Sequence, residues 1–249
     1  MGDLILLLRL EGPLQSWGTR SRWDVRDTGT EPSKSAVVGL LGCALGLRRH
    51  DRDLEWLDRN LHFAVRVDRP GVIATDFHTV TGYHRTAAQE FKVSGGTVKR
   101  LTKARELGES TIVSPRDYLH DASFLVALSS EQPLLLRQLA GDVAHPTWMG
   151  SLCHPRWPLY LGRKSCVPTR PVFLGLTDDY DGLEDAVRRA CWERAGTAAG
   201  QPPRVDAWIE DCDGTFERQD ALRLNRGRFF GVRRCRYISV PTPMSSGGS

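Results

Sequence analysis

The stretch "LILLLRL", residues 4–10, is a nearly continuous aliphatic run, which predicts a central β-strand covered on both faces. The segment "PSKSAVVGLLGCALGLRR", residues 32–49, comes next and repeats its apolar residues at helical spacing. Ser33 or Ser35 can cap the start of this helix, and Gly46 can end it. The chain is therefore expected to begin with a strand followed by a helix.

Further segments extend this order along the chain. "LHFAVRV", residues 61–67, alternates like a half-buried strand, and "DRPG", residues 68–71, supplies a turn into "VIATDFHTVTG", residues 72–82. "SFLVAL", residues 123–128, predicts another strand, and "SSEQPLLLRQLAG", residues 129–141, predicts the next helix. The order strand, helix, strand, strand, helix predicts an α+β fold with a ferredoxin-like, or RRM-like, core.

Residues 82–116 form a connection far longer than usual, which indicates a functional arm or a solvated mobile loop. The segment has seven basic residues against three acids, an excess equal to the net charge of the whole chain, and it holds three of the five lysines. Within it, "FKVSGGTVKRL", residues 91–101, predicts two short strands around Ser-Gly-Gly, a hairpin projecting from the sheet. The charge favours an arm for an anionic partner, and the mobile loop stays open as the alternative.

The composition is that of a globular protein. Of 249 residues, 40% are hydrophobic and 26% are charged, and the net charge is +4. Only five of the 34 basic residues are lysines, so arginine abundance alone is weak evidence for an anionic partner. No stretch approaches the roughly 20 apolar residues of a membrane span, and the start "MGD" is unlike a signal peptide. The six cysteines form no CxxC pair. We expect a cytoplasmic protein without a metal or other cofactor.

The loop "LQSWGTRSRWDVR", residues 14–26, concentrates tryptophan and arginine directly after the first strand. Arginine side chains bind phosphates and tryptophan rings stack on bases, so this loop suits a flat anionic partner such as RNA. The residues in question are Trp17, Arg20, Arg22, Trp23 and Arg26, and the alternative is a surface loop with two buried anchors. The alternative for Trp17 is that its ring anchors the loop against the sheet.

The segment "GTEPSKS", residues 29–35, is similar to a phosphate-binding loop but lacks both of the glycines which that loop requires. Lys34 and Ser35 nevertheless open a helix, and free backbone amides at a helix N-terminus can hold one phosphate. Ordinary helix capping is the competing interpretation.

Histidines around the long connection leave an enzymatic alternative open. His78, His84 and His120 lie near it together with Tyr83 and Tyr118, and general acid/base cleavage of RNA needs such groups beside a 2′-hydroxyl. This alternative is metal-independent endoribonuclease action, with His84, Tyr83 or His120 as candidates for the chemistry.

Several segments together resemble one protein family. They are "LRLEGPLQSWG" (8–18), "PSKSAVVGLLGCALGL" (32–47), "DFHTVTG" (76–82), "RDYLHDASFLVAL" (116–128) and "YLGRKSCVPTRPVFLG" (160–175). In this order they resemble the CasD family, a group of RAMP-superfamily subunits of the type I-E CRISPR complex Cascade that hold the 5′ handle of the guide RNA. The C-terminal quarter of the chain matches that family poorly.

The resemblance implies a ferredoxin-like (RRM-like) core with a projecting β-hairpin thumb and a smaller C-terminal region. We expect the RNA-binding core at residues 1–175, the basic thumb insertion at 82–116, the smaller region at 176–244 and a flexible tail at 245–249. It also implies a non-catalytic subunit that acts in antiviral defence, because in type I-E the precursor RNA is cut by the CasE subunit. In the related type I-C branch, the corresponding subunit makes that cut itself.

The resemblance further implies the partners and the binding residues. The partners are the 5′ handle of the crRNA, the CasC backbone subunits and the large CasA subunit, with CasB and CasE in the same complex and target DNA reached through it. Carried onto this sequence, the RNA-binding residues of the thumb are Lys92, Lys99, Arg100, Lys103, Arg105 and Arg116. Those of the core are Trp17, Arg20, Arg22, Lys34, Ser35, Tyr83, His84, Arg85, Arg163 and Lys164.

Overall fold

The computed structural model describes residues 2–18, 26–81, 92–94, 97–99, 111–191, 204–224 and 229–242. Several predicted RNA-binding residues lie outside the described residues: Arg20, Arg22, Tyr83, His84, Arg85, Arg100, Lys103 and Arg105. For Lys92 and Lys99 the structure describes the backbone alone.

The described part of the chain contains ten strands and four helices. The strands are β1 (Asp3–Gln15), β2 (His62–Arg69), β3 (Val72–Thr81), β4 (Lys92–Ser94), β5 (Thr97–Lys99), β6 (Thr111–Ser129), β7 (Phe173–Tyr180), β8 (Arg204–Glu210), β9 (Phe216–Arg223) and β10 (Phe229–Pro241). The helices are α1 (Lys34–Leu45), α2 (Arg52–Asn60), α3 (Pro133–Ala140) and α4 (Leu183–Arg189). None of these helices is long and apolar enough to span a membrane.

Eight of the strands form one antiparallel sheet. Its order is β7-β1-β6-β2-β8-β10-β9, and β3 pairs with the part of β6 that lies beyond β2. Strand β7 spans the boundary expected at residue 175, and β8 pairs with β2, so the sheet continues from the N-terminal into the C-terminal region. Strands β4 and β5 form a separate hairpin, which confirms the strand pair predicted around Ser-Gly-Gly.

The aliphatic run of β1 is a central strand, as predicted. It pairs with β6 on one side and with β7 on the other, and Ile5, Leu6, Leu8 and Leu10 are fully buried. Successive residues point to opposite faces, so Leu6, Leu8 and Leu10 enter the larger core cluster while Ile5 enters the smaller one. Because both faces are covered, the run needs no polar alternation.

Helix α1 is capped as its sequence indicates. The Ser33 hydroxyl accepts a hydrogen bond from the Ala36 amide, and Gly46 ends the helix in the left-handed conformation. Helix α2 has no counterpart among the predicted elements. Only Leu54 and Leu57 give its nine residues an apolar side, and both of these side chains are buried against the core.

The predicted turn at "DRPG" is wrong. Strands β2 and β3 both run antiparallel to β6, with His62 opposite Ser129 and Thr81 opposite Thr111, so the chain keeps its direction through residues 70 and 71. Gly71 has φ +71° there. The two residues are therefore an irregularity within one long strand path. Beyond β2, β3 and the outer part of β6 continue as a two-stranded ribbon, named here the β3–β6 ribbon.

Candidate nucleic-acid interface

The base of the β3–β6 ribbon receives the chain that returns from the loop after β1. Arg26 forms a parallel bridge with Arg116 of β6. Its amide donates to the carbonyl of Pro115 at 3.3 Å, and its carbonyl accepts from the amide of Asp117 at 2.8 Å. These backbone bonds place two arginines from distant parts of the sequence side by side.

A third arginine reaches the same place from a tight loop. Leu161 and Cys166 close this loop through an N–H···O bond of 2.7 Å, and Gly162 takes φ +105° within it. A side chain at residue 162 would clash with the carbonyl of Ser16, so glycine is required there. The loop presents Arg163 towards the ribbon.

The Arg163 side chain is fixed by two contacts. Its guanidinium carbon lies 4.6 Å from the centre of the Tyr118 ring, within the range of a cation–π interaction. Its Nη2 donates to the carbonyl of Arg26 at 3.2 Å. We name Arg26, Arg116, Tyr118 and Arg163 the basal cluster.

The basal cluster holds N–H groups with no acceptor in the structure. The Nη1 of Arg163 and the Nε of Arg116 are buried and have no hydrogen-bond partner among the described contacts. Leaving such a donor unpaired costs about 1–3 kcal/mol, and more for a charged group. The positive charge of these guanidinium groups favours an anionic ligand beside the cluster.

On the ribbon, a histidine and an aspartate extend the cluster. The Tyr118 hydroxyl lies 3.3 Å from Nε2 of His78, and the same nitrogen lies 2.9 Å from a carboxylate oxygen of Asp76. Register explains the grouping, because Tyr118 pairs with Ala74, Arg116 with Asp76 and Ser114 with His78. These pairs lie at every second position and therefore share one face of the ribbon. His78 is 35% exposed and can meet solvent or a ligand.

Helix α4 covers the centre of the sheet on the face opposite to the one that carries Tyr118. Arg66 is fully buried there and donates from Nη1 to the carbonyls of Val187 and Ala190, both at 2.8 Å. It also bonds Asp68 at 2.5 Å, and burial raises the pKa of that carboxyl although Arg66 lies beside it. Helix α4 therefore covers the centre of this face where Arg66 lies.

The structure brings together two of the predicted RNA-binding residues, Arg116 and Arg163, which are 47 positions apart in the sequence. Lys164 follows Arg163 in the same loop and is exposed. Strands β4 and β5 place Lys92 directly opposite Lys99. RNA binding by these residues stays a prediction.

The stacking role predicted for Trp17 is wrong, and its alternative role as an anchor is confirmed. The Trp17 ring is 1% exposed and its Nε1 donates to Gln15 at 3.0 Å. Its backbone bonds the Thr28 hydroxyl and the Gly29 amide, which fixes the two ends of the loop. A ring enclosed by the core has no free face for a base.

The phosphate role predicted for Lys34 and Ser35 is also wrong. Lys34 is 4% exposed and its ammonium pairs with Glu210 at 2.9 Å. Its amide donates to the carboxylate of Asp220 at 2.8 Å, and Ser35 is buried. Acidic groups of the C-terminal strands therefore occupy the helix N-terminus that a phosphate would need.

Neither Arg26 nor Tyr118 is among the RNA-binding residues that the family resemblance implies. Arg26 closes the quoted tryptophan-arginine loop, and Tyr118 lies in the segment "RDYLHDASFLVAL", so both were within segments that the sequence singles out. The sequence does not show that these two residues lie close together, because their proximity depends on the parallel bridge between Arg26 and β6.

The described residues include one group spaced for a metal ion, Asp211, Cys212 and Asp213. The group lies on a mostly exposed turn between β8 and β9, and exposed acidic turns are common without an ion. It supports no metal site.

The chain is thus a mixed α/β protein with one large antiparallel sheet. The basal cluster of three arginines and a tyrosine is its candidate nucleic-acid interface. The model of one family, described as CRISPR-associated protein (Cas_Cas5), matches residues 5–240. The chain belongs to this CRISPR-associated Cas5 family.

Similar proteins agree with this assignment. The chain is 37% identical over 181 residues to the "CRISPR system Cascade subunit CasD" of Escherichia coli (strain K12), covering 68% of this chain and 70% of that protein. A chain of a solved "CRISPR RNA-guided surveillance complex" is 30% identical with a TM-score of 0.65, covering 98% of this chain and 94% of that one. A "Crystal structure of Cas protein" is 34% identical with a TM-score of 0.63, covering 97% and 98%.

Proposed function

We propose that this protein is a non-catalytic subunit of a Cascade-type CRISPR surveillance complex and that it binds the 5′ handle of the guide RNA in antiviral defence. The observation that carries the proposal is the basal cluster, in which Arg163 is fixed on Tyr118 and the bridge between Arg26 and Arg116 brings further positive charge to the same place. The Escherichia coli relative, named as the Cascade subunit CasD, supports the assignment to such a complex.

The chemistry of the cluster suits a phosphodiester backbone. A guanidinium group offers several N–H donors in a fixed planar arrangement, which matches the oxygens of a phosphate. Arg116 and Arg163 would hold neighbouring phosphates of the handle, and the exposed Lys164 would add a third charge. Because α4 covers the centre of the opposite sheet face, we place the RNA at the base of the ribbon.

We propose that the central strands, in the order β7-β1-β6-β2 with α1 and α3, form a ferredoxin-like core, since that order interleaves two strand-helix-strand units in one antiparallel sheet. The β3–β6 ribbon leads out of this core towards residues 82–110 and the hairpin of β4 and β5. This arm would act as the thumb, with Lys92 and Lys99 at its hairpin.

The protein partners proposed for the thumb and core are CasC backbone subunits and the large CasA subunit, in a complex that also holds CasB and CasE and that reaches target DNA. The cytoplasm is the proposed compartment. All six cysteines are free thiols, which is typical of a reducing compartment.

A second candidate function is metal-independent cleavage of precursor guide RNA. The observation in its favour is the contact series Asp76, His78 and Tyr118, because a histidine between a carboxylate and a phenol can transfer protons. His120, the other described candidate, is exposed on β6. We favour the binding function because the Tyr118 ring is already occupied by Arg163 and is 4% exposed.

The proposed function is tested by purifying the tagged chain from cells that express its CRISPR locus and sequencing the RNA that comes with it. We expect one small RNA species with a uniform 5′ end that matches the repeat-derived handle. A preparation without RNA, or with RNA of random 5′ ends, would contradict the proposal.

A further inference from the structure

A groove of ≈ 470 Å³ lies between the loop that follows α3 and the segment that leads into β7. Its lining includes Pro155, Pro168 and Pro171 together with Val167, and apart from Cys153 and Arg170 every lining side chain is apolar. The volume is in the range of sites that bind small ligands.

Backbone bonds fix both walls of the groove. On one wall, Leu152 and Cys153 donate their amides to the carbonyls at the end of α3, at 2.8 and 3.2 Å. On the other wall, Thr169 donates to the carbonyl of Glu11 at 2.9 Å, and the carbonyl of Val172 accepts from the amide of Arg9 at 2.7 Å. The groove is therefore preformed, which lowers the entropy cost of binding.

The groove combines an exposed apolar side chain with a positive charge. Val167 is 55% exposed at its lining, and Arg170 is half-buried with no hydrogen bond or ion pair among the contacts of the described residues. A guanidinium beside apolar walls is complementary to a carboxylate that lies next to an apolar side chain.

We propose that this groove is a docking site for a segment of a partner protein, in which an apolar side chain enters the groove and an adjacent Asp or Glu pairs with Arg170. Surfaces that bind nucleic acid are strongly positive, whereas the core of a protein interface is apolar with enriched arginine. A single arginine among apolar residues and prolines fits the protein partner. The groove does not depend on RNA binding by the basal cluster.

The test uses the purified full chain on an array of overlapping peptides that cover every protein encoded in its CRISPR locus. We expect the chain to bind peptides in which an apolar residue adjoins Asp or Glu, and to bind them about tenfold more weakly after Val167→Asp or Arg170→Glu. Val232→Asp and Arg234→Glu are the matched controls, because both residues are exposed on β10 outside the groove.

Alkylation of Cys153 reports occupancy without any substitution, because this thiol is exposed and lies in the groove lining. A bound peptide should slow the reaction of Cys153 with N-ethylmaleimide several-fold and leave that of the exposed Cys212 unchanged. The proposal is overturned if no peptide binds, if both groove variants bind as tightly as the controls, or if the peptide leaves Cys153 unprotected. Protection of Cys153 by handle RNA alone would also overturn it, in favour of a nucleic-acid site.

Discussion

The guanidinium group of Arg163 is stacked on the ring of Tyr118 with 4.6 Å between the guanidinium carbon and the ring centre. This contact joins the loop before β7 to the strand β6 at the base of the ribbon. It holds a flexible side chain in one place before any ligand arrives, so less entropy would be lost in the proposed contact with a phosphate. Tyr118 is thus a positioning residue for Arg163.

Two substitutions of Tyr118 should distinguish the contribution of its ring to RNA binding from that of its hydroxyl. Tyr118→Phe keeps the ring under Arg163 and should leave RNA affinity nearly unchanged. Tyr118→Leu removes the cation–π contact, worth roughly 0.5–2 kcal/mol, and should weaken RNA binding about fivefold. Fluorescence anisotropy with a labelled handle RNA measures both, and urea unfolding checks that each variant is folded. Equal affinity of the Leu variant and the wild type would show that the ring does not position Arg163.

The endoribonuclease alternative makes its own prediction at His78. If the protein only binds RNA, repeat RNA incubated with it in EDTA stays intact, and His78→Ala changes nothing on a denaturing gel. One discrete cut by the wild-type protein that His78→Ala abolishes would establish catalysis through the Asp76–His78–Tyr118 contacts.

Asp58 gives the stability a pH dependence. Burial raises the pKa of its carboxyl to about 6, and Lys34 offsets part of that effect. The folded state therefore binds the proton of Asp58 more tightly than the unfolded state does. The resulting contribution to the free energy of unfolding is fully present below the unfolded pKa and is lost as pH rises through about 6.

Between pH 5 and pH 8 the wild type should lose about 1 kcal/mol of unfolding free energy that Asp58→Asn does not lose. An asparagine oxygen can still accept from the Leu222 amide, which Asp58 bonds at 3.1 Å. Urea titrations at both pH values measure the difference, with Asp142→Asn as a control at an exposed site. Parallel pH profiles for wild type and Asp58→Asn would mean that this carboxyl is ionised in the folded state throughout.

Two glycines should respond in opposite directions to alanine. Gly71 has φ +71°, and a Cβ there would clash with the carbonyl of His120, so Gly71→Ala should destabilise the protein by at least about 1–3 kcal/mol. Gly39 lies inside α1, and a Cβ added there would meet no atom from outside its own helix within 4 Å, so Gly39→Ala should stabilise the protein by about 0.5–1 kcal/mol. Thermal unfolding measures both. A Gly71→Ala variant as stable as wild type would show that the irregularity between β2 and β3 does not require glycine at residue 71.

Local signals in the sequence were enough to predict β1 and α1. A continuous aliphatic run such as that of β1 predicts a strand buried on both faces whichever strands pair with it. Ser33 and Gly46 cap α1 through contacts with residues near them in the sequence. The pairing of β4 with β5 was predictable for the same reason, since two glycines separate the two short strands in the sequence.

Distant partners decided the predictions that failed. The turn signal of Pro70 and Gly71 is real locally, but pairing with β6 on both sides keeps the chain in one direction. The ammonium group of Lys34 is neutralised by Glu210, which lies 176 residues away. A single sequence contains neither pairing, so the RNA site inferred from its basic residues included groups that the fold uses for itself.

We propose that Arg116 and Arg163 hold the RNA backbone. The affinity of handle RNA for the wild type, Arg116→Ala, Arg163→Ala and the double variant, measured over a series of salt concentrations, tests this contact. Arg137→Ala is the matched control, because it removes one exposed arginine from α3. Each cluster variant should bind at least about tenfold more weakly, and the double variant should lower the slope of log affinity against log salt by about 1.4, as expected for two phosphates of a single strand. Unchanged affinity and slope in the double variant would contradict the claim.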